Sequence, residues 1–344
     1  MSALKTIIEA EIAAKGPMPL SRYMELCLSH PTHGYYRQQQ PFGAEGDFTT
    51  APEISQMFGE LIGLWLVHMW QASGAPTRFN LLELGPGRGT LMADILRVAK
   101  LAPAFLEAAQ VCLMETSARL QTVQRETLGD IVHIEQLADL PDGPVFAVAN
   151  EFFDALPIRQ FVKNDFGWQE RQIGSGLKWG LSDTSDQPAL SAAFKGLETG
   201  RIVEVSAASQ EVAHSLGTRI ATQGGAALII DYGEFDGTGD TFQAVRNHAS
   251  VDAFEAPGEA DLTAHVRFKD LLSADISHGF TTQGAFLGRL GIEERAQMLE
   301  AAGAKGMAAQ KARLVSPEQM GALFKVLALA PKDFGDIVGF ENGT

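Results

Sequence analysis

The chain has 344 residues, of which 45% are hydrophobic and 20% are charged. That composition is typical of a folded globular protein and excludes a disordered one. The formal net charge of −15 disfavours a nucleic-acid partner, because an acidic surface repels phosphate backbones. Cys27 and Cys112 form no CxxC pair, so we expect a reducing compartment and no thiolate metal site.

The N-terminal stretch and the longest apolar run bear on location. The first residues, MSALKTIIEAEIAAKG, lack the basic segment and apolar run of a signal peptide and the arginines of a transit peptide. The longest apolar run, LIGLWLVHMW at 61–70, is too short to span a membrane. We therefore expect a cytoplasmic protein that does not insert into a membrane.

Residues 1–75 are predicted to form a helical extension. Apolar positions at helical spacing predict a first helix over 3–14, and Ser21 is the expected N-cap of a second helix. A third helix is expected at about 53–72. The segment 31–52 is rich in glycine, threonine and aromatic residues and is too long for a simple connection, so we expect a mobile lid.

Strands and helices alternate from residue 78 onwards, which predicts a parallel, doubly wound sheet of the Rossmann-like α/β class. The expected strands are 79–84, 110–114, 132–135, 145–150, 226–231, 279–282 and 323–329, and the expected helices are 89–99, 117–128, 207–222, 262–274 and 284–301. After the extension, the predicted units are the cofactor-binding half of the core (76–157), a β-rich insertion (158–205), the continued core (206–233), a substrate-side loop with helices (234–310), and a closing strand with the C-terminal tail (311–344).

The first core strand ends in LELGPGRGT, which predicts a ligand-binding turn. Gly85, Gly87 and Gly89 alternate there, and glycines let a backbone approach a ligand without Cβ clashes. The spacing misses the GxGxxG of dinucleotide-binding folds and the Gly-Lys-Ser/Thr of a Walker loop. With Glu83 and Pro86, the turn resembles the first motif of class I S-adenosylmethionine (SAM) methyltransferases, which implies that these five residues bind SAM. The alternative is a tight turn without a ligand.

Glu115 ends the next predicted strand. In parallel nucleotide-binding folds, an acid at this place accepts hydrogen bonds from the ribose hydroxyls. The alternative is an acid near the start of the following helix, where the helix dipole favours a negative charge. Because the glycine turn and this acid lie on consecutive strands, the two together favour a ribose-bearing cofactor.

Long stretches of the chain resemble one family, the MidA-like methyltransferases, whose mitochondrial members help to assemble respiratory complex I. These stretches are HPTHGYYRQQQPFGAEGDFTTAPEISQMFGE (30–60), LLELGPGRGTLMADIL (81–96), ANEFFDALPIRQF (149–161), LIIDYG (228–233), PGEADLTAHVRF (257–268) and LFKVLAL (323–329). The resemblance spans about residues 15–330. It departs at Arg267, where members often carry an acid, and at Phe242 and Val245.

The resemblance implies a Rossmann-like class I methyltransferase sheet with a helical N-terminal extension and a substrate-side insertion that is β-rich and helical. It implies SAM as the cofactor and an arginine of a protein as the methyl acceptor. For the mitochondrial members the acceptor is an arginine of a complex I core subunit, and the product is symmetric dimethylarginine. The expected partner of this chain is therefore a protein substrate of that kind.

The stretch NEFFDALP carries the candidate catalytic residues Asn150, Glu151 and Asp154. An arginine keeps its proton in water, with a pKa of about 12.5–13.8, so carboxylates must hold its charge and aim its nitrogen. These residues follow a strand whose end lies beside the glycine turn. By position, Glu151 resembles the first glutamate of the paired-glutamate loop in other arginine methyltransferases. Asp154 or an acid of another loop is expected to be the second carboxylate, and the alternative is a structural turn capped by Asp154 and Pro157.

The loop EGDFTTAPE is a second candidate region. Asp47, Thr49 and Thr50 are expected to fold over the cofactor, and Glu53 is expected on the substrate side. Glu53 also begins a predicted helix, where an acid commonly serves as a cap, so capping is the competing interpretation for that residue.

Asp261 and His265, in DLTAHVRF, are expected to line the substrate cleft, with packing in the core as the alternative. Together with His248 they raise the hypothesis of a metal site. Their spacing matches no common ligand pattern such as HExxH, so we expect no metal.

Three other functions stay open at this point. The first is a methyltransferase that acts on another methyl acceptor. The second is an assembly factor that binds SAM with little turnover, and the third is a nicotinamide oxidoreductase. The glycine spacing disfavours the oxidoreductase. The sequence leaves the oligomeric state and the identity of the acceptor open.

Overall fold

The computed structural model describes residues 2–38 and 50–341. Its N-terminal part is helical: α1 (Ala3–Lys15), a short strand β1 (Met18–Pro19), α2 (Leu20–Ser29), α3 (Tyr35–Gln38), α4 (Ala51–Ile54) and α5 (Gln56–Ala72). Helix α2 begins at Leu20 directly after Pro19, so the N-cap predicted at Ser21 is wrong. The fixed φ of proline already suits the entry into a helix at this place.

The first half of the core alternates strands with helices, as the sequence predicts. The elements are β2 (Phe79–Leu84), α6 (Thr90–Ala99), α7 (Pro103–Ala108), β3 (Ala109–Met114), α8 (Ala118–Leu128), β4 (Val132–Ile134) and β5 (Val145–Asn150). Strands β2 and β5 are buried at every position because helices cover both faces of the sheet. The apolar runs in these strands thus reflect a parallel sheet interior.

An antiparallel insertion follows, where the sequence predicts β-rich structure. It contains β6 (Arg159–Asn164), β7 (Gly167–Gly174), β8 (Lys178–Leu181), α9 (Pro188–Ala193) and β9 (Ile202–Val205). Its strands pair in the order β1-β7-β6-β9, with β8 also on β7. Because Met18 of β1 pairs with Ile173 of β7, the insertion is tied to the N-terminal helices.

The chain returns to the core through α10 (Ala207–Gln223) and β10 (Gly225–Glu234), and then forms β11 (Gln243–Arg246), β12 (Ala249–Val251), β13 (Asp261–Thr263) and β14 (Val266–Arg267). The helix predicted over 262–274 is wrong, because β13 pairs with β11 and β14 pairs with β10. Ala264 and Val266 are buried and His265 between them is exposed, which fits extended backbone rather than a helix. A 3₁₀ turn, Phe268–Leu271, follows.

The last part consists of β15 (Ile276–Thr282), α11 (Gln283–Arg289), α12 (Ile292–Ala301), α13 (Met307–Val315) and β16 (Phe324–Pro331). Strand β15 pairs with β16 along its whole length, and Phe286 and Ile292 share one buried cluster with Trp65 of α5. The unit 234–310 predicted on the substrate side is therefore wrong from β15 onwards. Helix α5 likewise packs in the core, because most of its residues are apolar and buried.

The central sheet has the order β15-β16-β10-β5-β2-β3-β4, with β16 antiparallel to its neighbours. The strand order reverses between β2 and β5, and ligands of open α/β sheets bind at such a switch point, at the carboxyl ends of the strands. This topology confirms the Rossmann-like α/β prediction. Within residues 2–38 and 50–341, no helix is both long and apolar enough to cross a membrane.

Candidate active site

A cavity of about 230 Å³ opens at the carboxyl ends of β2, β3, β5 and β10. Among the described residues, its lining includes six carboxylates. The carboxylates belong to Glu25, Glu115, Glu135, Glu151, Asp154 and Asp261. Such a lining attracts cationic ligands and disfavours anionic ones.

The glycine turn forms one end of this cavity. Gly85, Gly87 and Gly89 have φ angles of +63°, +51° and +83°, a region that favours glycine. A Cβ atom at Gly85 would lie 2.8 Å from Cδ2 of Phe152, so that ring occupies the space of a side chain. Gly85 and Gly87 both line the cavity.

Glu115 lies at the end of β3 on the same cavity. Its carboxylate accepts the N–H of Ser117 at 2.7 Å and the side-chain amide of Gln124 at 3.4 Å. The same amide nitrogen donates to the carbonyl of Gly87 at 2.7 Å. The structure thus brings the predicted ribose acid and the glycine turn together through Gln124.

A second cavity, of about 40 Å³, adjoins the glycine turn and is lined by Glu83, Pro86 and Asn150. Glu83 Oε2 and Asn150 Oδ1 are buried and have no hydrogen-bond partner among the described residues. Burial raises the pKa of Glu83 to about 8, although its carboxylate accepts the N–H of Met92. Because buried acceptors are seldom left unpaired, these atoms favour a ligand that donates N–H groups.

Glu151 lies between the two cavities and lines both. Its backbone has a φ of +52°, a conformation that is uncommon outside glycine. Its Oε1 accepts Nδ2 of Asn150 at 3.0 Å and the N–H of Ala51 at 3.3 Å. Burial, and then the charge of Asp154, raises the pKa of Glu151 to about 7. Glu151, Asp154 and Asp261 line the same part of the main cavity, which we call the acidic end, and Glu151 is its residue nearest the glycine turn.

Asp154 and Asp231 are buried beneath the acidic end. Burial raises the pKa of Asp154 to about 6, although the hydroxyl of Tyr232 donates to it. The Asp231 carboxylate accepts the N–H groups of Phe153 and Asp154 at 2.9 and 3.2 Å, and that of Tyr232 at 3.0 Å. Burial, with the charges of Asp154 and Glu151, raises the pKa of Asp231 well above its usual value. Asp231 therefore fixes the turn that presents the candidate catalytic carboxyls.

Asp261 and His265, which were predicted to line one cleft, line different cavities in the structure. Asp261 lines the main cavity, and its Oδ1 accepts the hydroxyl of Tyr36 at 2.9 Å. His265 lines a separate cavity of about 100 Å³ and packs edge-on against the other side of Tyr232. The expectation that His265 shares the cleft with Asp261 is wrong, because β13 and β14 form where a helix was predicted.

Glu53 lies beside the glycine turn, where it accepts the hydroxyl of Thr90 at 2.6 Å and lines the smaller cavity. Glu151 lines the same cavity, and the place of Glu53 on the substrate side stays a prediction. Thr50 lines both cavities. Asp47 and Thr49 lie outside the described residues, as does half of the predicted lid (39–49).

The site also contains four residues that were not predicted from the sequence: Tyr36, Gln124, Asp231 and Tyr232. The signal for Asp231 and Tyr232 was the polar end of LIIDYG, which follows a buried parallel strand at the ligand-binding edge of the sheet. Gln124 could have been found as a polar residue on the buried face of α8. In the described ranges, His, Cys, Asp and Glu form no cluster of three or more able to hold a metal.

The fold and the cavity define a protein that binds a nucleoside-bearing cofactor at the switch point of a doubly wound sheet. A family model described as S-adenosyl-L-methionine-dependent methyltransferase matches residues 61–286. The chain belongs to this family of SAM-dependent methyltransferases, and the resemblance to MidA-like methyltransferases is confirmed.

Named relatives cover most of the chain. The mitochondrial protein arginine methyltransferase NDUFAF7 of Danio rerio is 37% identical over 94% of this chain and 85% of its own length. The rat protein of the same name is 38% identical over 93% of this chain and 83% of its own length. Because these relatives are named as mitochondrial, the comparison contradicts the cytoplasmic location expected from the sequence.

Two solved structures from Burkholderia thailandensis have the same fold. One, a crystal structure bound to S-adenosyl-homocysteine, is 29% identical with a TM-score of 0.85, over 99% of this chain and 95% of that chain. The other, a native crystal structure, is 31% identical with a TM-score of 0.82 over the same shares.

The described residues fit SAM as the cofactor. SAM carries a sulfonium and an ammonium group, and the cavity is lined by six carboxylates. The unpaired acceptors Glu83 Oε2 and Asn150 Oδ1 suit an N–H donor, and Gly85 and Gly87 bring the backbone of the turn to the cavity wall. The chemistry of the donor set and the shape of the turn therefore agree with this cofactor.

Proposed function

We propose that this enzyme transfers the methyl group of SAM to an arginine side chain of a protein. The observation that carries the proposal is the buried acidic end of the cavity, where Glu151, Asp154 and Asp261 share one space with the glycine turn. A guanidinium is the protein side chain that best matches several carboxylates in a fixed arrangement, because it donates five N–H groups in one plane.

The glycine turn and the strand-end acids are assigned to the cofactor in this proposal. Glu115 accepts the ribose hydroxyls, and the backbone of Gly85 and Gly87 contacts the cofactor directly. Glu83 and Asn150 face the amino group of its methionine part. The support is that Glu83 and Asn150 offer unpaired acceptors on one side of the turn, while Glu115 lies on the other side.

Glu151 and Asp154 are assigned to the acceptor arginine. SAM supplies a methyl group bound to a positively charged sulfur. The carbon–sulfur bond breaks as the carbon–nitrogen bond forms, and S-adenosyl-homocysteine leaves as the neutral thioether. Glu151, at the junction of the cavities, aims the guanidinium nitrogen and holds its charge. The nitrogen gains the methyl group and loses one proton, which a carboxylate of Glu151 or Asp154 accepts. Their raised pKa values make both groups suitable proton acceptors near neutral pH.

The relatives named as protein arginine methyltransferases support a protein as the acceptor. Within that class, a core subunit of respiratory complex I is the target that the family resemblance implies, with symmetric dimethylarginine as the product. Tyr36 and Asp261 are assigned to the rim that receives the arginine, because their hydrogen bond joins the N-terminal helices to the acidic end.

The experiment is a methylation assay with the purified protein, labelled SAM and recombinant complex I core subunits. Mass spectrometry of the products locates the label. We expect it on arginine, and we expect no label on the same subunit after replacement of that arginine by lysine. Label on another residue type, with SAM consumed normally, would contradict the arginine assignment and leave the methyltransferase activity in place.

A further inference from the structure

Gln124 is exceptional on its helix. Helix α8 is otherwise largely polar and exposed, and its buried residues are Leu120 and Gln124. The Gln124 side chain is fully buried between the glycine turn and β4. A buried amide is stable only where its donors and acceptor are paired, so its partners explain its presence.

The hydrogen bonds fix the orientation of this amide. Its nitrogen faces two acceptors, the carbonyl of Gly87 at 2.7 Å and the Glu115 carboxylate at 3.4 Å. Its oxygen must then accept from Nε2 of His133, which lies at 2.8 Å. Nε2 of His133 therefore carries the proton, and Nδ1 is buried without a partner among the described residues. The hydrogen bonds therefore run in one direction, from His133 to Gln124 and from Gln124 to Gly87 and Glu115.

We propose that Gln124 is a positioning residue for SAM binding, which holds the Gly87 carbonyl and the Glu115 carboxylate in one arrangement and is itself oriented by His133. This inference rests on the proposed roles of the glycine turn and Glu115. The Gln124 amide nitrogen, which donates to both the Gly87 carbonyl and the Glu115 carboxylate, has two effects. It keeps the Gly87 peptide turned so that its carbonyl points to α8, and it offsets the negative charge of Glu115 without neutralising it.

The test is calorimetry with S-adenosyl-homocysteine on the purified full chain. Gln124→Met keeps the volume and apolar contacts but removes the donor, and we expect roughly 10-fold weaker binding. We also expect KM for SAM to rise with little change in kcat, because Gln124 contacts the glycine turn and not the acidic end.

Gln124→Glu separates positioning from packing. The new carboxylate still accepts from His133 but faces the Gly87 carbonyl and the Glu115 carboxylate with a negative charge. We expect binding weaker than in Gln124→Met at pH 8, and partial recovery near pH 6, where a protonated carboxyl donates again. A variant that merely loosens the fold would not gain affinity on acidification.

Gln283→Met is the matched control. Gln283 is also fully buried and donates to the carbonyl of Leu314 at 2.9 Å, but it lies at the start of α11 and does not line the cavity. We expect a similar loss in Tm without a change in affinity. Equal weakening of binding in Gln283→Met and Gln124→Met would overturn the inference, as would unchanged affinity in folded Gln124→Met.

His133→Leu decides the matter if the Gln124 variants fail to fold. Loss of the donor to the amide oxygen frees Gln124 to rotate, and we expect about 3-fold weaker binding with the fold retained. Parental affinity in this variant would contradict the proposal. Failure of the parental protein to bind S-adenosyl-homocysteine would instead contradict the cofactor assignment, so the two failures are distinguishable.

Discussion

The two ends of the main cavity are built in different ways. The cofactor end comes from the ends of β2, β3 and β5, and its acid, Glu115, is half-buried with N–H partners at Ser117 and Gln124, the N-cap and an inner residue of the following helix. The acidic end gathers segments that are far apart in sequence: the Tyr36 hydroxyl donates to Asp261, 225 residues away. Asp154 and Asp261 are buried there and Glu151 is partly buried, and burial raises the pKa values of Glu151 and Asp154.

This difference separates two uses of negative charge. At the cofactor end, neighbouring N–H groups stabilise the carboxylate before any ligand binds. At the acidic end, burial disfavours the ionised carboxyls, and a cationic side chain in the cavity would relieve that cost. We therefore expect the acidic end to lower the stability of the free protein and to favour binding of a cation.

The largest expected effect tests the cofactor end. Gly85→Val places a branched side chain against Phe152 and requires a positive φ, so we expect binding of S-adenosyl-homocysteine to fall more than 100-fold. Gly129→Val is the control, since Gly129 also has a positive φ (+80°) but open space around it. Parental affinity in a folded Gly85→Val protein, measured by calorimetry, would show that the turn does not contact the cofactor.

Glu151→Gln tests the acidic end. The amide keeps the shape of the side chain and removes the charge that offsets the guanidinium. We expect turnover to fall roughly 100-fold or more, with affinity for S-adenosyl-homocysteine retained. Glu126→Gln, on the exposed face of α8, is the matched control. Turnover at the parental rate would make Glu151 a structural residue, and parallel loss of cofactor affinity would move it to the methyl-donor site.

Glu115→Ala probes the strand-end acid. Loss of charge-assisted hydrogen bonds weakens binding by roughly 1–3 kcal/mol, so we expect the Kd for S-adenosyl-homocysteine to rise about 5-fold to 150-fold. We expect kcat at saturating SAM to change little, because Glu115 lies at the cofactor end. A fall in kcat without a change in Kd would contradict the division of the cavity into two ends.

The cofactor end was predictable because its signals are local. Strands β2 and β5 begin and end where the sequence predicts, since uninterrupted apolar runs bounded by turn residues specify buried parallel strands. Glu83, Glu115 and Glu151 follow directly, because each lies in or immediately after such a strand. Local pattern and fold agree at these positions.

The rest of the acidic end depends on tertiary structure. Nothing near Tyr36 in the sequence indicates that it meets Asp261, and Asp231 contacts the turn at Phe153 only because β10 pairs with β5. The position of His265 was predicted wrongly because the sequence indicated a helix there. In the structure the backbone is extended, so His265 is exposed while its neighbours Ala264 and Val266 are buried. Strand periodicity over so few residues is a weak signal.

The smallest expected effect concerns stability and pH. The folded-state pKa values of Asp154 and Glu151, about 6 and about 7, exceed their ordinary values of 3.8 and 4.5. Between pH 4 and pH 7 these two carboxyls thus bind more protons in the folded protein than in the unfolded chain, and their contribution to stability falls as the pH rises. Asp154→Asn removes one of these groups, and its oxygen still accepts from Tyr232. We expect its Tm to exceed the parental Tm by a few degrees at pH 8 and to differ less at pH 5.

The matched variant at the other end sharpens this last prediction. Glu115→Gln loses a carboxylate that accepts two N–H groups in a half-buried position, so we expect no gain in Tm at pH 8. Differential scanning fluorimetry across pH 5–8 measures both variants against the parental chain. A gain of the same size in both would show that net negative charge, rather than burial at the acidic end, lowers the stability. We expect a gain in Tm for Asp154→Asn alone. We also expect this gain to shrink when an arginine-containing substrate peptide is added, because the peptide would stabilise the parental protein at the acidic end.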